Sequence, residues 1–298
     1  MYQQINTYTM TKITYKQIDL TGWTKVGEGG NGSVYTCPEQ PGVILKVSNY
    51  TAEDSATETL TDEFVRSKAV FDLGLPTPEM KEMVRVGENE GIICEAIANK
   101  KSFARISGEA PAHIDHLAER MAKLAKLFHS TDTSAQTAIP SMKALMLDAL
   151  AETKMLSGKR LEQAIAFVQN MEDAPTLLHG DFTFSNLILS LDTDKAYWID
   201  LGRATHGLPM FDLGHFWLFC NLFGKKQRVQ DIAHMTDKQM VQFWKTFALA
   251  YNGPDNLDTF NAECKRFAAL DVILLGHIQT LNWHERLFLG LLVKSLMK

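Results

Sequence analysis

Two short segments, residues 178–186 and 198–202, constrain this chain more than any other part of it. The first contains Asp181 and, five positions later, Asn186, and the second contains Asp200 at the end of a short apolar run. Phosphoryl transfer uses one carboxylate to accept the proton of an attacking hydroxyl, while other oxygen ligands hold Mg²⁺ against the phosphates of the donor. The spacing of these three side chains suits that chemistry.

Composition sets the broad limits. The length of 298 residues suggests about two domains, and an apolar content of 45% is sufficient for a core in each. We predict a boundary between residues 1–96 and residues 97–298. The formal net charge of −5 argues against nucleic acid or an anionic membrane as the main partner, because both favour a basic surface. Nothing in the sequence indicates an oligomeric state.

The cysteines and the apolar runs bear on location. The four cysteines are widely separated and form no C-x-x-C pair, which indicates reduced thiols. The N-terminus is polar, unlike a signal peptide. The longest apolar run near the C-terminus, residues 287–293, is far shorter than the roughly 20 residues that cross a bilayer. These features predict a soluble cytoplasmic protein without a membrane segment.

Strand patterns dominate the N-terminal third. They cover residues 13–18, 24–26, 33–37, 43–47, 83–86 and 92–95. One helix is predicted at residues 55–73, where Gly74 suits a C-terminal cap and Pro76 and Pro78 prevent continuation.

Helical patterns dominate the rest. Apolar residues recur at intervals of three and four between Ile114 and Phe128, as an amphipathic helix requires. Further helices are predicted at residues 142–156, 161–170, 212–223, 238–251, 257–281 and 285–297. In this half only residues 187–189 and 196–199 show clear strand patterns. A small β-rich lobe followed by a large helical lobe is an α+β arrangement.

A glycine-rich segment, residues 27–34, matches the pattern G-x-G-x-x-G-x-V. The same glycines open dinucleotide-binding units, but there they lead into a helix, whereas here they lead into the strand pattern of residues 33–37. A glycine loop between two strands can fold over phosphates, because backbone N–H groups approach closely where side chains are missing. The alternative is an ordinary glycine-rich hairpin. The predicted nucleotide-binding residues are Gly27, Gly29, Gly30, Asn31, Gly32 and Val34.

Lys46 ends an apolar strand pattern and is expected to contact the α/β-phosphates of a nucleotide. Such a lysine requires an acidic partner on the following helix. Glu63 shares a helix face with Leu60 and Val70, the face expected to pack on the sheet. Glu58 is the competing carboxylate, but it lies on a different face of the helix. We therefore predict an ion pair between Lys46 and Glu63.

Residues 92–97 have the pattern of a connection between the two lobes. Backbone groups of Glu95 and Ile97 are expected to bind the edge of an adenine base. A plain strand between the lobes is the alternative.

In this order, the segments resemble the aminoglycoside phosphotransferase and choline kinase-like branch of the protein kinase-like fold. The matching segments span most of residues 24–215, and residues 179–186 show the H-x-D-x-x-x-x-N pattern of a kinase catalytic loop. The resemblance implies a two-lobe protein that uses ATP and Mg²⁺. It implies that Asp181 is the catalytic aspartate and that Asn186 and Asp200 bind Mg²⁺.

The resemblance also concerns two residues around the catalytic loop. Asp212 resembles the structural aspartate that braces this loop, with a helix N-cap as the alternative interpretation. His179 is expected to order the loop through hydrogen bonds without touching substrate.

Two departures from protein kinases favour a small-molecule hydroxyl as acceptor. Gly180 replaces the arginine of H-R-D, which pairs with a phosphate on the activation loop. Only residues 201–211 separate Asp200 from Asp212, and no A-P-E motif follows. So short a segment leaves little chain to display a peptide.

The sequence leaves the acceptor open among an aminoglycoside, a choline-like amino alcohol and a sugar. Trp217, Trp244 and Trp283 would form an aromatic box for a quaternary ammonium only if they leave the core, where aromatic residues at helical spacing usually lie. Acidic residues after position 215 are scattered rather than clustered. A catalytically silent nucleotide-binding module and a protein kinase remain the alternative functions.

Overall fold

The computed structural model describes residues 15–28, 32–51, 59–278 and 283–296. The strands of its N-terminal lobe are β1 (Lys16–Gln17), β2 (Thr24–Glu28), β3 (Gly32–Thr36), β4 (Val43–Thr51), β5 (Met80–Val86) and β6 (Asn89–Glu95). They form one sheet in the order β1-β5-β6-β4-β3-β2. All neighbouring strands are antiparallel except β1 and β5, which are parallel.

Helix α1 (Leu60–Asp72) packs on this sheet between β4 and β5 in the chain. It begins later than residue 55, the predicted start, because Thr59 has an extended backbone and forms a capping box with Asp62. Residues 52–58 lie outside the described part of the chain. Helix α1 ends where predicted, with Gly74 at a φ of 79° just beyond it.

The C-terminal lobe contains the remaining elements. Its helices are α2 (Phe103–Glu109), α3 (Ile114–Phe128), α4 (Met142–Glu152), α5 (Gly158–Gln169), α6 (Met210–Asn221), α7 (Gln227–Ala233), α8 (Asp237–Asn252), α9 (Leu257–Ile278) and α10 (Trp283–Leu296). Its strands are β7 (Lys100–Ser102), β8 (Leu177–Leu178), β9 (Leu187–Ser190), β10 (Ala196–Trp198) and β11 (Thr205–His206). They pair in the orders β10-β9-β7 and β11-β8. The predicted α+β class is confirmed, and the boundary at residues 96 and 97 stays a prediction.

Several short elements did not show in the sequence. Helices α2 and α7 have seven residues each, and β7, β8 and β11 have two or three. Elements of this length are too short to establish a hydrophobic period. The predicted ends at residues 13–14, 279–281 and 297 fall outside the described residues.

Aromatic side chains anchor the catalytic segment to the core. Phe182 and Phe184, on either side of Thr183, are completely buried. Both contact Phe216 of α6 in edge-to-face geometry, at centroid distances of 5.7 and 5.6 Å. Phe243 and Phe247 of α8 complete the cluster. The backbone between Asp181 and Asn186 is therefore fixed by the core of the helical lobe.

Two of the tryptophans considered for an aromatic box are accounted for by packing. Trp244 is buried, lies parallel to Phe260 and donates its indole N–H to Asn261. Trp217 packs against the core. The side chain of Trp283 is outside what the structure describes. The described part of the chain thus assigns Trp244 to the core, not to a cation-binding box.

All four cysteines are buried and unpaired, in agreement with the expected free thiols. Within the described residues, no helix combines the length and apolar character needed to cross a membrane.

Helices α6 and α9 pack very closely at Gly214. A Cβ atom at this position would lie 2.6 Å from Cβ of Phe267 and 2.8 Å from the backbone nitrogen of Ala268. Only glycine allows this approach, which places one face of α6 directly against α9.

We predict that Gly214→Ala destabilises the protein, although alanine is the better helix former by about 1 kcal/mol. The methyl group must displace the α9 backbone, and overpacking of this kind costs about 1–3 kcal/mol. Gly290→Ala on α10 is the control, because its new Cβ would lie 3.9 Å from Met155, an ordinary contact. Thermal unfolding should show a lower Tm for Gly214→Ala only; equal Tm values would contradict the close-packing argument.

Candidate active site

A cleft of about 460 Å³ lies between the sheet lobe and the helical lobe. The predicted site residues that line it are Gly27, Gly32, Val34, Lys46, Glu63, Glu95, Ile97, Asp181 and Asp200. Asn186 joins them through hydrogen bonds to Asp181. Gly29, Gly30 and Asn31 lie outside the described residues. The described part of the predicted site therefore converges on one cleft.

Lys46 connects the two lobes through its ammonium group. Its Nζ lies 2.6 and 2.8 Å from the carboxylate oxygens of Glu63 and 3.0 Å from Oδ1 of Asp200. Burial alone would lower the pKa of Lys46, but the charges of Asp200 and Glu63 outweigh it and raise the pKa above its usual value. The predicted contact between Lys46 and Glu63 is present, and the competitor Glu58 falls outside the described residues.

The glycine segment forms the predicted hairpin. Strands β2 and β3 pair antiparallel, with Gly27 opposite Val34, so the glycines lead into a strand. A Cβ on Gly32 would lie 2.7 Å from the carbonyl oxygen of Val47, so the close approach of β3 to β4 requires glycine there. A dinucleotide-binding unit is excluded by this topology.

The connection between the lobes offers backbone groups to the cleft. The N–H of Glu95 donates to the carbonyl of Glu79, and the N–H of Ala96 donates to the carbonyl of Gly42. Glu95 therefore has its carbonyl, and not its N–H, to offer a base. Ile97 also lines the cleft.

Asp181 and Asn186 are held together at the entrance to the helical lobe. The Asn186 amide nitrogen donates to the backbone carbonyl of Asp181 at 2.8 Å and to its Oδ2 at 3.0 Å. This use of the nitrogen leaves the amide oxygen to bind a cation. The N–H of Ile199 donates to the backbone carbonyl of Asn186, which brings the end of β10 beside the loop.

Asp200 follows β10 in a left-handed backbone conformation, with φ of 57° and ψ of 54°. Aspartate is one of the few residues other than glycine that adopt this conformation readily. The bend ends the strand and starts a short 3₁₀ helix, Leu201–Arg203. Its carboxylate is half exposed to the cleft and contacts Lys46.

Asp212, buried in the first turn of α6, braces the catalytic loop. Its Oδ2 accepts the N–H of His179 at 2.7 Å, and its Oδ1 accepts the N–H of Gly180 at 2.9 Å. Burial raises the pKa of Asp212, but the hydrogen bond and charge of His129 and the proximity of His179 lower it below its usual range. The bracing interpretation is confirmed. The N-cap interpretation is wrong, because α6 is preceded by Pro209 at that position.

His179 is completely buried beneath the loop. Its Nδ1 lies 3.3 Å from the N–H of Asp181, and its Nε2 lies 3.1 Å from the carbonyl of Ile199. Nδ1 thus accepts and Nε2 donates, as in a neutral imidazole. Burial lowers the pKa of His179 below its usual value, which favours the same state. The ring orders the loop through hydrogen bonds, as expected.

Gly180 shows why this loop carries no arginine before its aspartate. The residue has a φ of 78°, and a Cβ atom would lie 2.0 Å from the carbonyl oxygen of Arg203. Any side chain would force apart the two segments that present Asp181 and Asp200.

A sequence profile of the phosphotransferase enzyme family (APH) matches residues 39–238. The match covers two thirds of the chain and includes every described site residue from Lys46 onwards. The chain belongs to this phosphotransferase family. A comparison of the sequence with curated proteins finds no match.

Solved structures share the fold of this phosphotransferase at low sequence identity. A thermostable mutant of aminoglycoside phosphotransferase APH(4)-Ia has a TM-score of 0.56 at 12% identity, over 92% of this chain and 93% of that one. An aminoglycoside 2'-phosphotransferase-IIIa variant in complex with GDP has a TM-score of 0.54 at 16% identity, over 94% and 92%. Plasmodium vivax ethanolamine kinase has a TM-score of 0.53 at 14% identity, over 92% and 81%. The expected two-lobe, kinase-like fold is confirmed.

The segment after Asp200 is fully used by the phosphotransferase fold. Residues 201–203 form the 3₁₀ helix, and β11 pairs with β8 before α6 begins. The predicted shortness of this segment is thus accompanied by regular structure along most of its length.

Sequence reasoning missed His215 and underused Asp271. His215 is on α6, three residues after Asp212, and its Nδ1 lies 3.0 Å from Oδ2 of Asp271 on α9. Its Nε2 lies 3.2 Å from Oδ1 of Asp181, an ion-pair distance at an angle outside that of a hydrogen bond. The helical spacing from Asp212 was the available signal, because residues three apart on a helix share a face.

The imidazole between two carboxylates is held in its charged form. Burial lowers the pKa of His215, but the charges of Asp271 and Asp181 outweigh it and raise the pKa to about 10. Burial likewise raises the pKa of Asp181, yet His215, together with Arg203, lowers it below its usual range. Asp181 is therefore ionised throughout the physiological range.

We predict that His215→Gln destabilises the phosphotransferase by about 3–5 kcal/mol near neutral pH, because it leaves two buried carboxylates without their cation. The stabilisation by a histidine with a raised pKa is complete below about 6.5, its unfolded value, and is lost as pH rises through about 10. The difference between wild type and variant, measured by denaturant unfolding from pH 6 to pH 10, should therefore shrink with rising pH. Exposed His113→Gln is the control; a His215→Gln difference that stays constant with pH would contradict the charged imidazolium.

Proposed function

We propose that this protein transfers the γ-phosphate of ATP, in the presence of Mg²⁺, to a hydroxyl group of a small molecule. The observation that carries the proposal is the convergence of Lys46, Asp181, Asn186 and Asp200 on one cleft. The family match supports phosphoryl transfer. A solved APH(4)-Ia ternary complex contains AMP-PNP and hygromycin B, which supports a nucleotide and a small acceptor bound together.

The residues present suit Mg²⁺. Asn186 and Asp200 offer an amide oxygen and a carboxylate, and hard oxygen donors are the ligands of this cation. Within the described residues, no three His, Cys, Asp or Glu side chains are placed to hold a metal ion together. Mg²⁺ commonly uses only one or two carboxylates, with phosphates and water as its other ligands. Bound there, it would neutralise the charge of the donor phosphates.

The side chains then divide the work of transfer. Lys46 positions the α/β-phosphates, and the hairpin of β2 and β3 covers them. Asp181 accepts a hydrogen bond from the acceptor hydroxyl and receives its proton as the new bond forms. A carboxylate with a lowered pKa is a weak base, so orientation of the hydroxyl contributes more than early proton removal. Late proton transfer suits the loose transition state of phosphoryl transfer.

Both alternatives make different demands. A protein kinase would need a surface for a peptide, and the segment of residues 201–211 is occupied by its own secondary structure. A silent nucleotide-binding module would bind Mg·ATP without releasing ADP at any acceptor concentration.

Asp181→Asn is predicted to lower the rate of acceptor-dependent ADP formation by about 10²–10⁴-fold, because the amide cannot receive the proton. Affinity for Mg·ATP, measured by calorimetry, should stay within a few-fold of wild type, since Asp181 is assigned to the acceptor. Wild-type turnover by this variant would refute the assignment.

Asp200→Ala is predicted to weaken binding of Mg·ATP much more than binding of metal-free ATP. Glu63→Gln is the matched control, because it removes the other carboxylate beside Lys46 but no metal ligand. It should weaken both forms of the nucleotide to a similar extent. Titrations with and without Mg²⁺ separate the two; a Mg²⁺-independent effect of Asp200→Ala would remove its metal role.

A further inference from the structure

A second cavity, of about 130 Å³, lies on the far side of the catalytic loop from the nucleotide cleft. Gly180 and Arg203 line it, and Arg203 also lines the nucleotide cleft. Asp271, in its wall, reaches Asp181 through a single intervening imidazole, that of His215. The cavity is thus next to the residue proposed to orient the acceptor hydroxyl.

The walls of this cavity are mainly apolar. Met142 and Leu145 from α4 face Leu274, Leu275 and Ile278 from α9. Its volume is below the roughly 300–1,000 Å³ of pockets for drug-sized ligands. A compact carbon skeleton would fill it, whereas a multi-ring sugar would not.

Two polar groups stand out against these walls. The Thr205 hydroxyl is buried and has no hydrogen-bond partner within the described part of the chain. A buried polar atom without a partner is rare in proteins and indicates a bound molecule. Asp271 uses Oδ2 for His215, which leaves Oδ1 to accept from a donor in the cavity.

The charges around the cavity argue against a polycation. Arg66 and Arg203 both line it. Asp62 is already beside Arg66 at 3.7 Å, and Asp271 is already paired with His215. A ligand with four or five ammonium groups would meet two guanidinium groups and find no unpaired cluster of carboxylates among the described residues.

We propose that this cavity binds the body of the acceptor, and that the acceptor is a compact alcohol with a branched apolar skeleton and one amine or hydroxyl donor. The donor binds Asp271 and Thr205, the skeleton packs between α4 and α9, and the reacting hydroxyl extends to Asp181. This inference rests on the proposed phosphotransferase function.

The test uses leucinol as the probe, with ethanolamine, glucose and kanamycin for comparison. Calorimetry without nucleotide should detect leucinol binding at least tenfold tighter than binding of the other three. Leu275→Trp fills the cavity and should abolish that binding, while Leu127→Trp, on the exposed side of α3, should leave it unchanged. Mg·ATP affinity should be the same in both variants.

Thr205→Val separates a ligand role from a structural one. The substitution is nearly isosteric and removes a hydroxyl without a partner, so the Tm without ligand should stay equal or rise. Leucinol affinity should nevertheless fall roughly tenfold, the effect of one lost hydrogen bond in a buried site. A lower Tm with unchanged leucinol affinity would overturn the assignment of Thr205 and of the cavity.

The outcomes distinguish the two proposals. Preferred phosphorylation of kanamycin, insensitive to Leu275→Trp, would overturn the cavity inference and leave the phosphotransferase function intact. Failure to bind Mg·ATP, with leucinol binding still sensitive to Leu275→Trp, would overturn the proposed function and retain the cavity as a binding site.

Discussion

The arrangement of the site depends on the buried carboxylate of Asp212. It accepts two consecutive backbone N–H groups of the catalytic loop and thereby fixes that loop to the start of α6. Hydrogen bonds to an ionised acceptor are roughly twice as strong as neutral ones, and both oxygens are used. Every other feature of the helical side of the site, from Asp181 to His215, takes its position from this attachment.

Most of the phosphate-handling side was predictable from the sequence, because it consists of local patterns with fixed spacing. Asp181 and Asn186 are five residues apart in one loop, and Lys46 is followed by a helix with one suitable face. The helix-face argument selected Glu63 because burial of Leu60 and Val70 dictates which side meets the sheet. Their contacts are observed, while their catalytic roles remain proposals to be tested by substitution.

The acceptor side was not predictable, because it depends on contacts between distant segments. Asp271 follows His215 by 56 residues, and their contact requires the close approach of α6 and α9 at Gly214. Scanning for clustered acidic residues overlooked a single carboxylate that is buried. Trp244 had the opposite fate: a suggestive aromatic residue whose place is in the core.

The contact between Lys46 and Asp200 joins a strand of the sheet lobe to the end of a strand in the helical lobe. In the nucleotide-free protein it acts as a latch across the cleft. Cations that bind Asp200 compete with the ammonium group for the same carboxylate, so loading of the donor loosens one attachment between the lobes while forming others. The ionic strength of the medium consequently influences how readily the cleft opens, because a half-exposed ion pair is screened by salt.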